Sequence, residues 1–143
     1  WQLRNAVGSE VHATPGRAGF ADCAPKAHID LEAMRAALRA DAEHWWDRSR
    51  TAPHEFEGIL ATRGYHADYA HLPRAIYARL MAERQLWRCS LIMDGRHQEH
   101  VPADWQPPEG DVVGSLLPWA SYLGQLVDAL PGDAWLTLVS CRC

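Results

Sequence analysis

The sequence predicts an α+β domain in which a small antiparallel sheet packs with about four helices. Three observations carry this expectation. Apolar residues recur at three- and four-residue steps through much of the first half. The period changes to two just before Asp94-Gly95. A last apolar run, Trp135 to Cys141, is rich in β-formers. The sheet is expected to consist of a hairpin over 86–101 and a C-terminal strand over 134–141. Residues 1–28 are read as an irregular N-terminal arm and 29–143 as one α+β domain.

The arm contains Gly8, Pro15, Gly16, Gly19 and Pro25 with no sustained period, and it allows one short strand near Val7 to His12. The first helix follows Asp30, whose carboxylate suits an N-cap. Leu31, Met34, Leu38, Ala42 and Trp45 place one apolar stripe along residues 31–49. Arg35, Arg39, Glu43 and Asp47 step along another face, where opposite charges add about 0.2–0.5 kcal/mol per pair.

Thr51, Pro53, Glu55 and Glu57 are expected to start a second, shorter helix, with Phe56, Ile59 and Leu60 inward and Gly64 closing it. A third begins at Pro73, whose missing N–H is harmless in a first turn, and it carries Ile76, Tyr77, Leu80 and Met81 on one side.

Trp87, Cys89, Leu91 and Met93 then alternate with Leu86, Arg88, Ser90 and Ile92. Asp94-Gly95 supplies the positive φ angles of a two-residue type I′ turn. With that loop Met93 faces Arg96, Leu91 faces Gln98 and Cys89 faces His100 on the expected core side. Ile92 with His97, Ser90 with Glu99 and Arg88 with Val101 make the wet side. Pro102, Pro107, Pro108 and Gly110 mark a loop. Ser115 is expected to cap a fourth helix, in which Leu116, Trp119, Leu123, Leu126, Val127 and Leu130 form a wide stripe ended by Pro131-Gly132. The final strand, apolar on both faces, reads as an inner strand covered on both sides or lying beside the hairpin.

Composition narrows the function classes. The chain has 143 residues, 48% of them hydrophobic, which suffices for one real core. Its 18 acids against 14 bases leave a net charge of −4, so a nucleic-acid partner is unlikely on electrostatic grounds. No apolar run spans a bilayer, so no membrane segment is expected. Only Lys26 among the bases is Lys, a preference that a codon bias explains as well as a need for forked donors. The four cysteines are not needed to staple a chain this size, and they suggest reduced thiols and a cytoplasmic setting. The chain opens on Trp1 with no signal-like stretch after it, and reads as a processed product or the last domain of a longer chain.

The 8 His and 7 Trp are the main leads. No metal or cofactor is predicted. The spacings Cys23-x4-His28, His66-x4-His71, His97-x2-His100 and Cys141-x-Cys143 match no strong zinc pattern. A site from Cys23, His28, Cys141 and Cys143 would require the arm to fold over the last strand. Cys89 opposite His100 suggests a thiolate–imidazole pair, against which stands a plain core cysteine. The wet face of the hairpin gathers Arg88, Ser90, His97 and Glu99, the base, acid and cationic clamp of general acid–base chemistry, which is also the content of any solvated hairpin face. Trp46 beside Arg50, and Trp105 beside Asp104 and Glu109, are candidate anchors for a protein partner. His54, Glu55, Glu57, His66, Asp68 and His71 are further potential ligands or bases. The functional expectation is a small acidic protein-binding domain of the inhibitor or immunity type. The alternative is a small hydrolase or toxin-like domain that uses the hairpin face, with or without a metal.

Overall fold

Asp30 starts the first long helix as its position predicts, with its Oδ1 accepting the backbone N–H of Ala33 at 3.0 Å. Helix α1 runs Leu31–Thr51, two residues past the expected end. The computed structural model describes residues 1–2, 4, 12–13, 19–52 and 67–138, and the expected second helix over 53–64 lies outside them. The chain divides into two compact units, one of residues 1–34 and 129–143, the other of residues 35–128.

The first unit holds a three-stranded antiparallel sheet of β1 (His12–Ala13), β2 (Ala21–Pro25) and, in the second half of the chain, β5 (Trp135–Thr137), in the order β1-β2-β5. Here the arm differs from expectation. Its segment 21–25 is a strand with Ala21, Ala24 and Pro25 buried, paired to β5 in the register Cys23↔Thr137, Ala24↔Leu136 and Pro25↔Trp135. Pro25 is tolerated because it closes its strand, and the next amide, of Lys26, carries the pairing on by donating to the carbonyl of Ala134 at 2.8 Å.

The C-terminal strand therefore belongs with the arm and not with the hairpin. Nor is it an inner strand over its described length, since Trp135 and Thr137 are exposed and only Leu136 is half-buried. Three residues suffice to alternate faces, and an apolar run on both faces was the wrong signal.

The second unit is built on α1, α2 (Arg74–Leu86), α3 (Val112–Leu116) and α4 (Pro118–Ala129), with the hairpin β3 (Leu91–Met93) and β4 (Arg96–Gln98). Its core cluster is Ala42, Tyr77, Ala78, Leu80, Met81 and Val113, against which Trp45, Trp46, Tyr69, Leu72 and Leu117 pack. Each fully buried side chain of Leu or Met size contributes about 1.5–3 kcal/mol. Carboxylates hold several arginines around this core. Arg35 reaches Glu83 at 3.4 Å and Asp128 at 2.9 Å, Arg74 bridges Glu43 and Asp47, and Arg79 meets Asp111 at 2.8 Å.

Two boundaries move for physical reasons. The strand expected from residue 86 starts at 91, because Leu86 and Trp87 extend the helical stripe of Tyr77, Leu80 and Met81. Trp87, buried, closes α2 by donating its amide to the carbonyl of Glu83 at 3.0 Å. The single helix expected after Ser115 is two. Leu117 precedes Pro118, whose ring disfavours helical backbone at that residue, and it sits at φ −130°, ψ 68°. Pro118 then opens α4. Ser115 accordingly caps nothing and donates its hydroxyl to the carbonyl of Asp111, while Leu116 is exposed. Among the described residues no helix is long and apolar enough to cross a membrane.

Candidate functional site at the hairpin

The reversal at Asp94-Gly95 organises this part of the molecule. Their φ angles are +51° and +71°, both left-handed, and the ladder pairs Leu91↔Gln98, Ile92↔His97 and Met93↔Arg96 as the two-residue loop requires. Among the described residues the hairpin forms a sheet of two strands. Its expected greasy side is not buried, since Leu91 is half-buried and Met93 is 41% exposed. The other side carries Ile92 at 64% exposure opposite His97. With three residues in each strand, the ribbon leaves both faces at least partly open to solvent.

Two indoles are pinned just before the hairpin. Trp119 of α4 donates its N–H to the carbonyl of Cys89 at 2.8 Å, and Trp87 donates its own to Glu83 Oε2 at 2.9 Å. Between them lies an open recess of about 280 Å³ lined by Trp87, Arg88, Cys89, Ser90, Glu99 and Trp119. Three of the four residues expected to do chemistry thus border one hollow. The fourth, His97, places Nε2 at 3.4 Å from Glu99 Oε1, with both side chains more than half exposed. This grouping does not come from the cross-strand pairs expected of Ser90 with Glu99 and Arg88 with Val101, because the ladder stops at Leu91 and Gln98.

For the same reason Cys89 has no ladder partner in His100. Burial pushes the Cys89 thiol up, the opposite of what an activated nucleophile needs, and Cys89 lines the recess. A second hollow, about 450 Å³, lies at the turn and is lined by Met93, Asp94, Arg96 and Gln98.

The expected aromatic anchors are turned to internal work. Trp46 is half-buried against the core, donates its indole N–H to the carbonyl of Leu72 at 3.0 Å, and is covered by the guanidinium of Arg50 at 4.5 Å from the ring centre. Arg50 in turn donates to the carbonyl of Ala70 at 2.7 Å. Trp105 is half-buried and meets Tyr122 edge-on at 6.0 Å, with Asp104 and Glu109 exposed in the same loop. An indole buried this way offers a partner little of its face.

Of the remaining candidates, His71 shares a hydrogen bond with the carbonyl of Asp68 at 2.7 Å, and His54, Glu55, Glu57 and His66 lie outside the described residues. Cys23 Sγ sits 2.9 Å from Thr137 Oγ1, while Cys141 and Cys143 are outside the described residues. No group of three or more His, Cys, Asp or Glu is placed to hold a metal ion among those described. Sequence reasoning missed Ile92 and Trp119 as site residues. Ile92 was visible as an apolar residue on the predicted wet face, whereas Trp119 was legible only as one member of a helical stripe. Compared with known proteins, the chain matches no family model, no curated protein and no solved structure.

Proposed function

We propose that the chain is a protein-binding domain that presents the 91–98 hairpin to another protein. The observation that carries this reading is the exposure of Ile92 and Met93, on opposite faces of a ribbon whose ladder has two strands among the described residues. An extended segment of a partner can add to an outer edge of such a ribbon, with main-chain hydrogen bonds giving affinity and side chains giving choice. Met93 and Arg96, adjacent across the ladder and bordering the hollow at the turn, favour an apolar side chain flanked by a carboxylate. Trp46 and Trp105 are half-buried in contacts away from the ribbon and would present little ring surface to that partner. The net charge of −4 keeps nucleic acid an unlikely ligand.

The test is capture of a partner from cells that make this chain, compared between the wild type and an Ile92→Asp/Met93→Asp double variant. A discrete partner retained by the first and lost by the second supports the reading. Equal capture by both contradicts it.

A second reading, a small hydrolase or toxin-like domain, is favoured by one observation: the recess gathers Arg88, Ser90 and Glu99, with His97 on Glu99. A His97→Ala variant with unchanged rate in any activity found would exclude His97 as the base.

A further inference from the structure

Arg88 has no carboxylate within ion-pairing distance among the described residues, although Glu99 borders the same recess. Glu99 turns instead to His97. Arg35, Arg74 and Arg79 of the same unit all hold carboxylates. Arg84, four residues before Arg88, has no described carboxylate partner either. Its guanidinium is held below its ordinary value by burial and then by the positive charge of Arg88, so the two cations repel each other. Arg88, which borders the recess and feels the like charge of Arg84, is a cation that an incoming anion would neutralise.

The rest of the lining defines the shape and charge of that anion. Trp119, half-buried, is pinned by its N–H bond, and so forms a fixed apolar wall that a flat ring can cover without ordering any side chain. The exposed hydroxyl of Ser90 can donate to an oxyanion beside Arg88. The carboxylate of Glu99 opposes negative charge and so selects one unit of it over two. At about 280 Å³ the hollow is just below the range of about 300–1,000 Å³ usual for small-molecule sites.

We propose that this recess binds a small aromatic carboxylate, its ring against Trp119 and its carboxylate on Arg88 and Ser90. The site is separate from the exposed faces of Ile92 and Met93, and it stands whether or not the hairpin docks a protein.

Benzoate titrated into the ¹⁵N-labelled chain tests this through the indole N–H signal of Trp119. The expected result is a saturable shift that weakens about tenfold in Arg88→Gln, the order of loss for one charge-assisted hydrogen bond. Arg88 is exposed, so the fold should persist in that variant, and unchanged hairpin amide signals would verify it. Absence of saturable binding, retained affinity in Arg88→Gln, or tighter binding of benzylamine or phenyl phosphate than of benzoate would each overturn the proposal. An Ile92→Asp variant is expected to bind benzoate as the wild type does, which keeps this result distinct from loss of a protein partner.

Discussion

Trp119 donates its indole N–H to the backbone carbonyl of Cys89 at 2.8 Å, and so ties helix α4 to the segment that leads into the hairpin. That one bond fixes a wall of the recess and the approach of the ribbon together. In Trp119→Phe the ring stays apolar but the carbonyl loses its donor, which costs about 1–2 kcal/mol. Urea denaturation checks this, and an unchanged midpoint would show that the bond is dispensable.

Gly95 stands at φ +71° with open space where a Cβ would go, so Gly95→Ala introduces conformational strain and no clash. The expected cost is about 1 kcal/mol and is confined to the ribbon. Hydrogen exchange should quicken at the amides of 91–98 and stay unchanged in the core of α2. Equal acceleration in both would mean that the hairpin and the core unfold as one.

Tyr77 is fully buried, its hydroxyl has no hydrogen-bond partner among the described residues, and burial pushes its pKa up to about 12. A pKa raised in the folded state favours folding below the ordinary value of 10.0, and that contribution is lost as pH rises from there toward about 12. Tyr77→Phe should remove this part of the alkaline loss. It should also stabilise the neutral protein by about 1 kcal/mol, because an unsatisfied buried hydroxyl is deleted. Thermal melts at neutral and alkaline pH test both parts, and a destabilised Tyr77→Phe would reveal a partner for the hydroxyl.

Asp47 accepts two hydrogen bonds from Arg74, and this bonding holds its carboxyl below the ordinary value of 3.8. A lowered folded value stabilises above the ordinary value and is lost as pH falls through the folded one. Asp47→Asn should therefore flatten the acid limb of the stability curve and leave the alkaline limb as it is. The pair is exposed to solvent, so the difference from wild type should vanish in about 1 M salt, where the screening length is about 3 Å. A difference that survives such salt would point to packing and not to charge.

Much of the fold was readable from local pattern, and the exceptions share a cause. The cap at Asp30, the inward face of α2 and the turn at Asp94-Gly95 depend on neighbours in sequence, and all three match. The partner of β5 does not, because β2 lies more than a hundred residues earlier, inside a Gly- and Pro-punctuated stretch whose local pattern shows no strand. Pro118 carries the helix break openly, but a cap at Ser115 puts it in a first turn, where proline is tolerated, and so hides its effect on Leu117. At the candidate site, Arg88, Ser90 and Glu99 were correctly grouped while their supposed cross-strand contacts were not. The recess that joins them is made by Trp119 of a separate helix, and no local periodicity reports such a contact.

The central claim is that the exposed faces of the 91–98 ribbon are where another protein docks. The most direct measurement is photo-crosslinking from a reactive residue placed at position 92 or at 93, in cells that make the chain, with the apolar, exposed positions 112 and 116 as controls. The account predicts one discrete adduct from 92 and 93, abolished when the other of the two is changed to Asp, and none from the controls. Adducts of equal yield from all four positions, or none from 92 and 93, would contradict it.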